Sequence, residues 1–187
     1  MSTGNKTANP GPLGLLGFGM TTVLLNLHNS GLLPLSIVIV AMGIAMGGAA
    51  QVIAGIFEMK HGNTFAGTAF TAYGLFWLSL VMIWVNPVAG NGIAAGDSLS
   101  LAYYLLLWGV FSIFMFICTL RHNRITQMVF GSVTLLFLLL ALGDFTGNHT
   151  ITTVAGYVGI FSGLSAMYSC VGQIVNEEYG KSILPLG

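Results

Sequence analysis

The sequence predicts an all-α integral membrane protein of six transmembrane helices with both termini in the cytoplasm. Three observations carry that expectation. Only five Lys/Arg and five Asp/Glu occur in 187 residues, so 5% of the chain is charged while 55% is hydrophobic, against about 25% charged in a soluble domain. Those charges bracket uncharged stretches of 51, 36, 23, 19 and 32 residues. The basic residues occupy alternate intervening segments only.

A soluble chain of this length needs on the order of 45 charged side chains at its surface, and ten cannot serve. The composition excludes a soluble globular enzyme and a disordered chain. It also excludes a nucleic-acid binder, which requires a basic face. The bilayer is therefore the solvent for most of the surface.

A spanning helix takes roughly 20 apolar residues at 1.5 Å rise. The longest uncharged stretch, 7–57, holds two such helices, expected over 12–28 and 35–57, with His28-Asn29-Ser30-Gly31 as the turn between them. The third span is expected over 65–85. The loop 86–98 that follows is rich in Gly, Pro and Asn. Spans four to six are expected over 99–120, 126–143 and 152–175. A β-barrel would alternate polar and apolar residues in ~10-residue strands, and the run Val133 to Leu142 shows no alternation.

Lys6, Lys60, Arg121, Arg124 and Lys181 fall in the N-terminal tail, the second and fourth loops and the C-terminal tail. With six spans these segments share one side, which the positive-inside rule makes cytoplasmic. No small-residue cleavage site follows the first helix, so it is expected to stay in a single transmembrane domain, 1–187, in the cell membrane.

Small residues recur every four positions at Gly43, Gly47, Ala50 and Ala54, and at Ala155, Gly159 and Gly163. Such stripes let helix backbones approach closely. Packing within the subunit is the simpler use, and symmetric oligomerisation is expected besides, because six helices make a thin bundle. Cys118 and Cys170 are expected as buried thiols within spans. Trp84, Tyr103 and Tyr104, near helix ends, are expected in the interfacial belt.

All four histidines and all five carboxylates fall at helix ends or in loops. Pumps and proton relays keep ionisable groups within the membrane, and a hydrolase needs a catalytic pair. No Cys/His cluster has metal spacing. The expectation is no enzyme, no metal and no cofactor, but permeation of something small. Neutral hydrogen-bonding groups would then replace the water that a permeant loses. Candidates are Thr22 and Asn26 on one face of the first span, Gln51 in the second, and Thr71 and Tyr73 in the third. Hydroxyls in membrane helices often bond back to their own i−4 carbonyl instead. Gln51 is more telling, since a primary amide in lipid costs several kcal/mol (about 2–7) unless partnered; it is either glue between helices or part of a pore wall. At the start of span one, Asn9-Pro10-Gly11-Pro12-Leu13 combines an N-cap residue with first-turn prolines, and the exposed N–H groups and dipole there favour an anion.

The run from Asn9 to Thr22, NPGPLGLLGFGMTT, resembles the signature of the acetate uptake transporter family, whose best-known members are the bacterial succinate–acetate permeases. Family members usually have Ala where this chain has Gly11. Leu24-Leu25-Asn26-Leu27-His28-Asn29, Gly47-Gly48-Ala49-Ala50-Gln51, Gly62-Asn63-Thr64-Phe65, Trp108-Gly109-Val110-Phe111 and Asn176-Glu177-Glu178-Tyr179-Gly180 fit as well. The likeness runs from Ala8 to Gly187. It implies a homo-hexamer in the lipid bilayer, with a pore in each subunit for acetate or similar small carboxylates. It also implies a hydrophobic constriction of Phe, Tyr and Leu, matched by Phe18, Tyr73 and Val133. Val133 is one methylene smaller than the expected Leu, which would admit a slightly bulkier acid.

Depth supports the carry-over independently. Phe18, Tyr73 and Val133 lie 6, 8 and 7 residues beyond the starts of spans one, three and five, all roughly 10 Å deep. The expected substrate path therefore comprises Asn9, Pro10, Leu13, Thr22, Asn26, Gln51 and Thr71 around that constriction, acting as an anion channel or a proton-coupled permease. Two competing readings are a channel for a small neutral solute such as water, glycerol or ammonia, and a signalling membrane protein without transport.

Overall fold

A computed structural model describes residues 7–86, 90 and 92–187. Lys6, and Pro87, Val88, Ala89 and Asn91 of the third loop, lie outside the described residues. Every regular element among the described residues is a helix. They are α1 (Gly11–Asn29), α2 (Ile37–Lys60), α3 (Thr64–Val85), α4 (Ser98–Thr119), α5 (Arg124–Thr146) and α6 (His149–Glu178). Five of them, α2 to α6, are long and apolar enough to cross a membrane. The exception is α1, a 19-residue helix whose Asn26, His28 and glycines lower its hydropathy. It is the innermost helix, packed along α6 and against α2 and α3.

α3 to α6 start one to three residues earlier than their apolar runs suggest, because a side-chain cap precedes each run; α2 starts two residues later than expected, at Ile37, and neither it nor α1 has a side-chain cap. Asn63 Oδ1 accepts from the Ala66 N–H (3.2 Å), Asp97 Oδ1 from Ser100 (2.9 Å), Asn123 from Thr126 (3.0 Å) and Asn148 from Thr150 (3.0 Å). Each satisfies a donor that has no partner inside its helix. α3 and α5 end at left-handed residues, Asn86 and Gly147.

The small-residue stripes are used inside the subunit. A Cβ on Gly163 would come within 2.7 Å of the Gly19 carbonyl, and one on Gly19 within 2.8 Å of the Gly163 carbonyl. The α1 and α6 backbones touch there, so neither position admits a side chain. Gly159 faces the Asn26 amide, and Gly43 and Gly47 face Val81 and Trp77 of α3. Within α2, Gly43–Ala50 is π-helical, a feature the periodicity did not predict. Its i→i+5 bonding makes a wider turn, and the Thr21 hydroxyl donates to the Met42 carbonyl at its start (3.3 Å).

Two smaller expectations need correction. Cys118 is exposed on the outside of α4, since it lies on the face turned away from the bundle, whereas Cys170 is buried. Tyr104 and Trp84 turn inward rather than joining an interfacial belt. The Tyr104 hydroxyl bonds Ser79 Oγ (2.7 Å), and Trp84 lines an internal cavity. Tyr103, near the start of α4, does face outward, on a surface otherwise carried by side chains such as Leu107, Phe114 and Ile117.

Candidate functional site: cavities in line between two vestibules

Four cavities follow one another through the bundle. At the N-terminal ends of α1, α3 and α5 lies a vestibule of about 290 Å³, the near vestibule. Next come a chamber of about 20 Å³ and another of about 30 Å³. A far vestibule of about 200 Å³ opens at the C-terminal ends of the same three helices. Adjoining cavities share walls. Leu15, Ala69, Phe70 and Phe130 border the near vestibule and the first chamber. Leu25, Phe76 and Leu140 border the second chamber and the far vestibule. The path runs between α1, α3 and α5, with Gln51 as the sole α2 side chain on the chambers.

Phe18, Tyr73 and Val133 line both chambers and so form the partition between them. They are 7%, 4% and 2% exposed. The Phe18 and Tyr73 ring centroids are 6.1 Å apart, and Tyr73 is braced by Phe130 and Phe137 at 6.2 and 6.3 Å. Ser112 Oγ donates to the Trp108 carbonyl (2.7 Å), which leaves the Tyr73 hydroxyl to donate to Ser112 (2.8 Å). The phenol is therefore anchored in α4, and the ring is held across the path. A water needs roughly 10–15 Å³ of accessible space, so each chamber has room for one or two water-sized solutes. A solute of four heavy atoms is larger than either chamber.

Polar groups flank the partition. Gln51, 0% exposed, lines the first chamber with neither Nε2 nor Oε1 hydrogen-bonded to a described residue. Thr22 lines the second, and its Oγ1 is likewise buried without a partner. Buried polar atoms of this kind are rare in folded proteins. Elsewhere the back-bonding habit holds: Ser112, Thr134 and Ser165 donate to their own i−4 carbonyls. Asn26 also lines the second chamber, but its amide is engaged, Nδ2 donating to the Thr22 carbonyl (2.8 Å) and Oδ1 accepting from Asn29 (3.0 Å).

The remaining predicted residues separate. Asn9 lines the near vestibule, accepting from the Gly11 N–H (3.0 Å) and donating to Gln173 Oε1 (3.1 Å). Pro10 supplies the carbonyl that receives the first α1 amides. Leu13 turns outward, 40% exposed, and Leu15 takes the path-facing position instead. Thr71 lies in the α2–α3 interface against Gly55, its Oγ1 without a partner, and borders none of the four cavities.

Several lining groups escaped the sequence reading. Glu58, 5% exposed, accepts from Asn63 Nδ2 (2.8 Å) and faces Gly11 in the near vestibule, beside His122 and Gln173. His122 stacks edge-on to Phe65 at 4.8 Å. The signal available was Glu58 between Phe57 and Met59, a charge one turn inside a helix end. Lys60, Arg121, Arg124 and Lys181 flank this same end of the bundle. Among the described residues no group of three or more His, Cys, Asp or Glu could hold a metal ion.

Apolar helices long enough to cross a bilayer, arranged around a line of internal cavities, define a multi-pass α-helical membrane protein. Residues 2–185 match the sequence profile of the GPR1/FUN34/yaaH family, and the chain belongs to that family. It is 53% identical to the succinate-acetate/proton symporter SatP of Escherichia coli (strain K12) over 182 residues, 97% of this chain and 96% of that protein. It is 32% identical to acetate permease A of Emericella nidulans over 198 residues, 97% of this chain and 66% of that protein. The solved structure of the bacterial acetate channel SatP superposes with a TM-score of 0.94 at 53% identity, covering 97% of this chain and 100% of that one.

Proposed function

We propose that this protein transports acetate and related short-chain carboxylates across the cell membrane, through a pore within each subunit of a homo-hexamer. In this reading one transmembrane domain crosses the bilayer six times, and α1 is the sixth span. Its polar residues are hidden from lipid by the helices around it, so low hydropathy does not bar it from the membrane. The end bearing Lys60, Arg121, Arg124 and Lys181 faces the cytoplasm. Its similarity to the E. coli succinate-acetate/proton symporter SatP, to acetate permease A of E. nidulans and to the solved bacterial acetate channel supports the substrate class.

One observation carries the mechanism: a three-residue apolar partition stands between two chambers that each present an unpartnered polar group, Gln51 and Thr22. A carboxyl group entering from the near vestibule leaves the Asn9–Gln173 rim and reaches Gln51, whose N–H donates to a carboxyl oxygen. Phe18 swings aside while Tyr73, anchored at Ser112, stays, so the aperture opens on the Phe18 and Val133 side. The methyl end slides across these apolar faces, and Thr22 receives the carboxyl group beyond. Stripping a carboxylate is costly in low dielectric, and the two hydrogen-bonding stations lower that cost on either side of the partition.

Acetate flux in proteoliposomes, with voltage and pH gradient imposed separately, tests this. Voltage-driven flux indifferent to the pH gradient marks an anion channel. Electroneutral flux that follows the proton gradient marks transfer of the acid or proton symport. No acetate flux under either condition overturns the transport reading.

A further inference from the structure

The far vestibule carries a charge that the path described so far does not use. Asp144, on α5 two residues before its end, lines this cavity half-buried, and its side chain makes no hydrogen bond or ion pair with any described residue. The far vestibule lies where the C-terminal ends of α1, α3 and α5 meet the N-terminal ends of α2, α4 and α6, so helix dipoles of both signs reach it and the Asp144 carboxyl is the formal charge on its wall. Among the described residues no Lys or Arg lines it. The titratable neighbours are His28 on α1, whose Nδ1 meets the Leu33 carbonyl (3.0 Å), and His149, exposed at the first residue of α6. The other facing elements offer only Leu35 ahead of α2, the apolar Phe76, Leu80 and Trp84 from α3, Leu101 and Leu105 from α4, and the neutral Thr152 from α6.

We propose that Asp144 is a specificity-determining residue, a charge filter at the far mouth that slows entry of a carboxylate in proportion to its charge. The proposal rests on the transport reading above and adds which ionisation state is favoured. With Asp144 ionised, the far vestibule repels a monoanion, repels a dianion twice as strongly, and is indifferent to a neutral solute or a neutral acid. The lining here is mostly apolar, so screening is weaker than in water. Protonation of Asp144 removes the repulsion and opens the mouth to anions.

The test compares wild type with Asp144→Asn, which keeps the shape and removes the charge, in proteoliposomes at the same pH, about 7.5, on both sides, where an ordinary Asp is ionised. The permeants form a charge series: acetamide, acetate and succinate. We expect Asp144→Asn to leave acetamide flux unchanged, to speed acetate about tenfold and to speed succinate by about the square of that, a hundredfold. Asp144→Glu retains the wild-type series. With methanesulfonate, which stays charged, the ratio of variant to wild-type flux falls toward one as pH drops toward about 4; His28 and His149 titrate in both proteins and cancel in that ratio. Equal ratios for all three permeants, or an unchanged acetate flux, overturn the filter. Absence of acetate flux in the wild type overturns the transport reading instead, so the two failures are distinguishable.

Discussion

Replacing Gln51 by Leu sets stability against function, and the structure fixes both signs. The Gln51 side chain is fully enclosed, and neither of its amide heteroatoms has a partner among the described residues. An amide desolvated without hydrogen bonds costs about 1–3 kcal/mol by protein mutational data. In membrane helices the unfolded chain also finds partners for polar groups, which places the value near the lower end, about 1 kcal/mol. Leu fills a similar volume without polar atoms, so Gln51→Leu is expected to unfold about 1 kcal/mol later than wild type. Flux moves the other way. A hydrogen bond to a charged group is worth about 1.5–3 kcal/mol, and its loss at the partition slows acetate transfer about 10- to 150-fold. Thermal unfolding in detergent and acetate flux in proteoliposomes, measured on one preparation, read both effects. A variant that is less stable than wild type, or one that carries acetate at the wild-type rate, refutes the assignment of Gln51 to the permeation path.

Phe18→Ala joins the two chambers by removing the larger part of their shared wall, and is expected to extend flux toward acids bulkier than acetate at a stability cost of about 3–5 kcal/mol; unchanged selectivity in competition flux assays counts against the partition as a gate. Tyr73→Phe removes the bond to Ser112 that holds the ring across the path, so unfolding shifts by about 1 kcal/mol and selectivity for acetate over bulkier acids is expected to relax; selectivity unchanged in competition flux assays counts against the anchor. Gly159→Ala drives a methyl group into the Asn26 amide and forces α1 from α6, and is expected to cost about 1–3 kcal/mol, read by thermal unfolding. At the start of α4, hydrogen bonds from Ser100 hold the Asp97 carboxyl below the usual carboxylate range. This cap is complete above the unfolded-state pKa and is lost as pH falls through the lowered folded value. The protection of the Ser100 amide, its exchange rate relative to an unstructured chain at the same pH, should therefore fall in acid, and Asp97→Asn should abolish that acid-induced loss of protection.

The sequence by itself determined the helices and the solvent that surrounds them. Ten charges in 187 residues leave lipid as the only medium, and the spacing of those charges marks where the chain turns back. Chain direction and depth also lie in sequence, which is why counting from helix starts brings Phe18, Tyr73 and Val133 to one level. Helical phase is different. Lipid and an apolar pore wall favour the same side chains, so these helices carry almost no amphipathic signal to say which face turns inward. Leu13 and Leu15 are indistinguishable in sequence, yet one meets the outside of the subunit and the other the path. Thr22 and Thr71 looked alike, and only packing puts one on a chamber and the other in the α2–α3 interface. The π-helical turn before Gln51, the burial of Glu58 and the position of Asp144 at the far mouth all depend on which helix lies beside which. That choice is made by backbone contacts such as Gly19 against Gly163, distant in sequence and invisible until the bundle closes.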